Sequence, residues 1–352
     1  MKVVLYGEAD YPGSGSYCYV DALRELGHTV LTVSNNAGLG WYVTLPGRVT
    51  RRIAGILPFH RKRHAAVLVN TVVRERPELV IVLKGVSIGP ADVQAMRAAG
   101  AFVTIINHDD FFSLNANNRS AVQRAALPHY DFVFVTRVVN VAEVASINPR
   151  VEFFPFAYHP KIHRPVEIPP EFQTDVVFVG TWEAERCALL EQLVQQVPAR
   201  YAIWGSFWSN AGRRSPLQPY IIGRDALEDD QCRALGGAKI ALAFLRKLNR
   251  DDYTQRTFEI PACGGLLLAE RTARHTSYYR EGIEAEFFDP TNPEELIKKV
   301  RELLADAPRR EAIRQAGRAA LQSQHHTYRD RLQRLLDIYQ QAKRATAKTG
   351  AG

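Results

Sequence analysis

Short apolar runs alternate with stretches whose apolar positions recur at helical spacing, and the alternation continues along most of the chain. In the first half, Val3 to Tyr6, Thr29 to Val33, Leu79 to Leu83, Phe102 to Ile106 and Phe132 to Val135 read as strands. Tyr17 to Leu26, Val67 to Arg74 and Pro90 to Ala99 read as helices, the first and last stopped by Gly27 and Gly100. Strands joined through helices need right-handed crossovers, so the expected sheet is mainly parallel and covered on both faces.

Five prolines fall between Pro155 and Pro170, where neither a helix nor a central strand can persist. A second series follows: strands at Asp175 to Val179, Tyr201 to Trp204, Lys239 to Leu245, Leu266 to Ala269 and Ala285 to Phe288, with helices at Glu183 to Gln195, Asp225 to Leu235 and Thr254 to Cys263. Helices at Pro293 to Ala305, Arg309 to Ser323 and Thr327 to Lys343 end the chain. At 352 residues the chain exceeds one ordinary core. The spacing predicts an N-terminal domain over 1–155, a linker over 156–170, a C-terminal domain over 171–325, and a terminal helix over 326–343 that packs back on the first domain. Two Rossmann-like α/β domains facing a central cleft are expected, with the ligand at the carboxyl ends of the strands.

Composition narrows the class. A 46% hydrophobic and 23% charged chain is globular. No apolar run approaches the roughly 20 residues of a membrane span, and Met1-Lys2 leads straight into the first strand, so a cytoplasmic location is expected. Cys18, Cys187, Cys232 and Cys263 are far apart in sequence and read as reduced, structural thiols. The net charge of +8 is uneven: Leu26 to Arg74 holds no Asp or Glu but contains Arg48, Arg51, Arg52, Arg61, Lys62, Arg63 and Arg74. Interleaved Ile53, Ile56, Leu57 and Phe59 give 48–64 the character of a basic acceptor rim, of a segment lying on the inner face of an anionic membrane, or of a helix with solvated arginines. Nucleic acid is not expected, since no stacking platform accompanies the charge.

The turn after the first strand, Gly7 to Ser16, carries Gly13 and Gly15 where backbone amides could approach a phosphate. A dinucleotide fingerprint would want glycine at Cys18 and an acid near Ser34-Asn35-Asn36, so NAD is disfavoured. The segment Arg250 to Gly265 is richer. It follows an apolar strand, Thr254 is a candidate N-cap, and Arg256 and Glu259 share a helix face. Arg256 could reach a diphosphate while Glu259 accepts ribose hydroxyl protons, or the two could form only an intrahelical ion pair. Pro261 would cost about 3 kcal/mol in a regular helix, which predicts a short or bent one.

The stretch Arg256-Thr257-Phe258-Glu259-Ile260-Pro261-Ala262-Cys263-Gly264-Gly265 resembles the R-x-F-E-x-x-A-x-G signature of CgeB-like (spore-maturation) glycosyltransferases, a branch of the GT-B group. Gly180-Thr181 with Arg186, Trp204-Gly205, Phe287 followed by Pro293 to Leu296, and His326-Thr327-Tyr328 with Arg331 match in order, over about residues 150 to 340. The resemblance implies a GT-B fold and a nucleotide-sugar donor, a UDP-sugar before a GDP-sugar. It places Glu259 on the ribose and Asp251 at the sugar-facing position of a Glu-x7-Glu element, one methylene short. It also implies Gly180, Thr181 and Arg186 at the diphosphate and Trp204-Gly205 at the nucleobase; Gly15, Tyr253 and Thr254, beside the turn and the helix start, are expected in the donor site too, and Lys247 and Arg250 are further phosphate candidates.

In the first half, His108, Asp109 and Asp110 follow a strand and could hold the sugar or deprotonate an acceptor hydroxyl. The chain has no D-x-D triplet, so no metal or other cofactor is expected, and the diphosphate charge falls to helix amides and basic side chains. The expected function is hexosyl or related transfer to a glycan, lipid-linked or other acceptor in polysaccharide biosynthesis, with retention favoured by the Glu-x7-Glu likeness. A nucleotide-sugar hydrolase or epimerase, or a non-catalytic surface-assembly protein that binds nucleotide-sugar, are the alternatives.

Overall fold

The apolar runs of the first half assemble as a wholly parallel six-stranded sheet of order β2-β1-β3-β4-β5-β6. Its strands are β1 (Lys2–Tyr6), β2 (Thr29–Val33), β3 (Leu79–Leu83), β4 (Phe102–Asn107), β5 (Phe132–Val135) and β6 (Val151–Phe153). Every residue of β3 is buried, as expected of a strand with helices on both faces. The computed structural model describes residues 1–8, 14–34, 58–113 and 120–349. The chain divides into two units. The first comprises Met1–Pro155, Leu248–Arg250 and Tyr328–Gly352, the second Phe156–Lys247 and Asp251–Thr327.

In the first unit, α1 (Gly15–Glu25) begins at Ser14, whose Oγ accepts the Tyr17 N–H at 3.1 Å. α2 (Pro58–Glu75) runs nine residues further toward the N-terminus than the predicted Val67 to Arg74. After α3 (Pro90–Ala98) come two helices not anticipated from sequence, α4 (Ala121–Ala126) and α5 (Val138–Ala145). Of the basic stretch, residues 48–57 lie outside the described residues, as do Gly13 and the turn around it. Among the described residues, no helix is long and apolar enough to cross a membrane.

The second unit repeats the plan with a parallel five-stranded sheet, order β11-β10-β9-β7-β8. Its elements in chain order are β7 (Thr174–Val179), α6 (Ala184–Gln196), β8 (Tyr201–Trp204), α7 (Asp229–Gly237), β9 (Ala238–Ala243), α8 (Arg256–Ala262), β10 (Leu267–Glu270), α9 (Ala273–Tyr278), β11 (Glu286–Phe288), α10 (Pro293–Ala305) and α11 (Ala307–Ser323). The last helix, α12 (Tyr328–Thr349), belongs to the first unit and packs on α1. In each sheet the chain first steps to one side of the opening strand and then to the other. The reversal leaves a switch point between β1 and β3, and another between β7 and β9.

The short helix α8 shows how sequence fixes the site locally. Pro261 has no N–H, so the carbonyl four residues earlier, on Thr257, loses its helical donor. The Tyr279 hydroxyl donates to that carbonyl instead, at 3.0 Å. Thr257 Oγ1 meets His275 Nε2 at 2.9 Å while His275 Nδ1 donates to Glu270 O at 2.6 Å, and burial pushes the His275 ring down to about 4, so it is neutral. Tyr279→Phe should therefore lower stability by about 1–2 kcal/mol, the cost of a buried carbonyl left without a donor. Thermal unfolding reads it; an unchanged Tm would mean that Thr257 O finds another partner.

Candidate functional site

Open α/β sheets bind ligands beyond the carboxyl ends of their strands at the switch point. At the switch point of the second sheet β7 runs into Gly180-Thr181 and β9 into Phe244-Leu245. The Arg186 guanidinium spans these two ends, donating to Thr181 O at 2.9 Å and to Leu245 O at 3.4 Å. Burial lowers the pKa of this group, and Glu183, 3.6 Å away, works against that shift. Arg256 Nε donates to Val179 O, the last carbonyl of β7, at 3.1 Å. Two guanidinium groups thus anchor on backbone oxygens at one strand end.

Glu259 lies one turn deeper in α8 and is 4% exposed. Its Oε2 accepts from Arg256 Nη1 and, at 3.2 Å, from Gln231 Nε2. His163 Nε2 stands 3.4 Å from Oε1. The intrahelical ion pair is therefore present, and it is one part of a larger clamp. Gln231 and His163 come from α7 and from the proline-flanked stretch, and no sequence spacing linked them to Glu259.

Glycine at 180 and 205 has a steric cause. A Cβ on Gly205 would lie 2.2 Å from Gly180 O, and Gly205 adopts a φ of +130°. Gly180 O also accepts the Trp208 indole N–H at 2.9 Å. The Trp204 ring is 6% exposed, stacks on Phe172 with centroids 5.6 Å apart, and carries the Arg224 guanidinium 4.7 Å from its centroid. The ring is packing; what the end of β8 offers a ligand is the backbone at 204 and 205.

Two further expectations are corrected. Tyr253 is a core residue, 1% exposed, with its hydroxyl accepting the Phe156 N–H at 3.0 Å and its ring against Phe258 and Tyr278. The N-cap of α8 is Gln255, not Thr254; the Thr254 N–H instead donates to Thr257 Oγ1 at 3.2 Å. Lys247 pairs with Glu185 at 3.4 Å and is exposed. The Asp251 N–H donates to Arg246 O at 3.3 Å, and its carboxylate contributes to the field at Arg186. Glu270, at the end of β10, accepts the Leu245 N–H at 3.0 Å, and burial raises its carboxyl pKa. All four cysteines are buried and none is in a disulfide; the Cys232 and Cys263 sulfurs are 3.3 Å apart.

In the first unit, Gly15 opens α1 and His108 follows β4. His108 Nε2 meets the Tyr19 hydroxyl at 2.9 Å, and burial pushes the imidazole down to about 4, so the ring is neutral. Asp109 pairs with Lys84 Nζ at 2.6 Å. Burial would raise the Asp109 carboxyl, but Lys84, Arg137 and His108 together lower the pKa. Lys84 itself follows β3 with a φ of +62°, a strained position for a residue with a side chain, at the strand ends beside the first switch point.

Asp110 has no exposed surface and is fully engaged. It accepts from Arg250 Nε at 2.6 Å and Nη2 at 2.8 Å, from Asn140 Nδ2 at 2.8 Å and from the Phe112 N–H at 2.9 Å. Arg250 reaches Glu143 as well, at 2.8 Å. Asp110 is thus unsuited to be a base, and Arg250 unsuited to bind phosphate, because each neutralises the other. The same short segment inserts Asn249, whose Oδ1 accepts the Asp110 N–H at 3.0 Å and whose carbonyl accepts Arg137 Nε at 2.7 Å.

Residues 186–337, a stretch that holds Arg186, Arg256 and Glu259, match the family model described as Glycosyl transferase-like. No curated protein matches the sequence. Among solved structures the chain is similar over 98% of its length to 100% of sucrose-phosphate synthase from Thermosynechococcus elongatus, at a TM-score of 0.71 and 13% identity. It is similar over 97% to 98% of a glycosyltransferase from Rickettsia africae, at 0.63 and 16%. It is also similar over 99% to 100% of HepE from Anabaena in complex with UDP-glucose, at 0.62 and 12%. At these identities the likeness is one of fold, and the fold is GT-B.

The Asp110–Arg250 pair carries a pH signature. Burial alone would raise the Asp110 carboxyl; its hydrogen bonds from Arg250, Asn140 and Phe112 hold it below the usual carboxylate value. Its contribution is then complete above the unfolded pKa of about 3.9 and is lost as pH falls through the depressed folded value. Arg250→Ala should cost about 2–3 kcal/mol at neutral pH, less than a fully buried pair because Arg250 is 39% exposed. Urea unfolding at pH 7 and in acid should show the deficit narrowing below about pH 4. A deficit independent of pH would assign Arg250 to packing rather than charge.

Proposed function

We propose that the chain transfers a sugar from a UDP-sugar to a hydroxyl of a glycan or lipid-linked acceptor, with retention at the anomeric carbon. The observation that carries this reading is the convergence of Arg186, Arg256 and Glu259 on the carboxyl end of β7 beside Gly180-Thr181. A nucleoside diphosphate leaves with developing negative charge, and guanidinium groups already fixed on Thr181 O, Leu245 O and Val179 O need little reorganisation to meet it. The backbone at Gly180 and Gly205 has no side chain in the way of a phosphate or a base.

Glu259 is assigned to the ribose. A carboxylate has about four acceptor positions, and Arg256 and Gln231 occupy two of them on Oε2, so Oε1 retains capacity for hydroxyl groups. Asp251 is assigned to the transferred sugar. His108 and Asp109 are the first unit's candidates for a contact with that sugar or with the acceptor hydroxyl. Retention fits the absence of Asp110 from the set of usable bases: the departing phosphate oxygen can take the acceptor proton on the same face. HepE has been solved in complex with UDP and with UDP-glucose, which supports uridine as the donor nucleoside. The basic stretch 48–64 is assigned to the acceptor side, where its charge suits a lipid-linked acceptor at an anionic surface.

Incubation with radiolabelled UDP-sugars and a panel of glycan and lipid-linked acceptors tests the reaction. Label moved to an acceptor with its anomeric configuration kept is expected; free sugar, an isomerised donor or no turnover would overturn it. For the site, Glu259→Gln should weaken UDP binding by about 1–3 kcal/mol in calorimetry, with an unchanged affinity counting against the ribose assignment. Because basic side chains are assigned the diphosphate charge, transfer should survive EDTA. A complete loss restored by Mn²⁺ or Mg²⁺ would sink that part of the assignment.

A further inference from the structure

His163 lies among the prolines that precede the second sheet, and the reading above gives it no role. Its side chain is 3% exposed. The turn that carries it is closed by the Ile162 and His163 N–H groups donating to His159 O at 3.0 and 2.7 Å. The ring completes the turn: Nδ1 accepts the His159 N–H at 2.9 Å. A nitrogen that accepts from a backbone amide bears no proton, so a neutral ring carries its proton on Nε2, the atom 3.4 Å from Glu259 Oε1. Burial keeps the ring neutral, against the pull of Glu259 and helped by Arg256 and His159. The turn is tied to α7 by Cys232 Sγ donating to Ile162 O at 3.0 Å and by the Arg164–Asp229 pair at 3.0 Å.

We propose that His163 is a positioning residue whose Nε2–H sets the orientation of Glu259, so that the second lone pair of Oε1 faces the ribose hydroxyls. The inference rests on the assignment of Glu259 to the ribose. A lysine or arginine in this place would add a second positive charge and compete with Arg256 for the carboxylate. A neutral N–H orients the group and leaves its charge to Arg256 and the ligand. With Gln231 and Arg256 on Oε2 and His163 at Oε1, rotation of the carboxylate is opposed at both oxygens.

The test compares UDP with 2′,3′-dideoxy-UDP by calorimetry on wild type, His163→Phe and His163→Gln. Phe keeps a ring without a donor; the Gln amide can again donate to Glu259. His163→Phe should weaken UDP about tenfold while leaving dideoxy-UDP little changed, and His163→Gln should recover most of the loss. Equal weakening of both ligands, or no recovery in His163→Gln, would assign His163 to packing and overturn the proposal. A wild type that does not distinguish the two nucleotides is a different failure: the ribose assignment of Glu259 falls, and the role of His163 falls with it. Should His163→Phe not fold, ¹⁵N spectra of histidine-labelled wild type decide. The proton is expected on Nε2, with a resonance that moves on adding UDP and not on adding dideoxy-UDP. A proton on Nδ1, or equal shifts with both, would overturn the proposal.

Discussion

A carboxylate held almost out of water imposes conditions on everything around it, and Glu259 imposes them on the second unit. It must be paired, its remaining lone pairs must be met, and the element that carries it must be stiff. Arg256 supplies the charge from one turn away in the same helix and is itself tied to Val179 O, so the pair is fastened to the sheet. The helix is short because Pro261 interrupts its ladder, and Tyr279 repairs the gap. Gly265 follows because a Cβ there would lie 2.6 Å from Leu235 O, so the turn after α8 meets α7 at backbone distance, and Gln231 of α7 reaches Glu259. The clamp is a consequence of close backbone packing, not an addition to it.

The first unit solves the same problem to a different end. Asp110, like Glu259, is a buried acid with an arginine, but Arg250 grips it through two nitrogens, and Asn140 and Phe112 take further lone pairs. An acid so saturated has nothing left for a ligand, and its energy goes into fixing the loop after β4. Glu259 accepts two hydrogen bonds, from Arg256 and Gln231, against the four that Asp110 accepts, and the arginine it shares is partly exposed. Saturation thus separates a structural carboxylate from a candidate ligand-binding one, where burial alone treats them alike.

Legibility in the sequence followed the range of the forces involved. Leu79 to Leu83, Phe132 to Val135, Tyr201 to Trp204 and Pro293 to Ala305 were readable to the residue, since two-sided burial or a helical apolar stripe with proline at its start is a local signal. Val138–Ala145 was not, because its valines favour strand and Arg137 makes no side-chain cap. The three-residue β6 is partly exposed throughout and too short to show a period. At the site, Arg256 and Glu259 were legible because their spacing is helical. Their partners were not: Gln231 is 28 residues from Glu259, and Arg250 is 140 from Asp110, distances at which only the folded chain decides contact. Trp204, at a strand end, and Tyr253, just before α8, were misjudged for a related reason, since an aromatic in such a place reads the same whether a ligand or another ring will cover it.

The insertion of Leu248–Arg250 into the first unit also bears on how the protein is made. Asp110 leaves the ribosome 140 residues before the arginine that neutralises it, and α12, which packs on α1, follows the whole of the second sheet. At about 5–20 residues per second, the nascent first unit carries a core acid without its counter-ion for several seconds or more. Through that interval it has a sheet whose apolar residues can collapse but a loop after β4 that cannot settle. The second sheet, whose strands and buried acid are supplied almost entirely by one continuous run of chain, has no such wait. The half synthesised first is therefore the half that waits longer for its contacts.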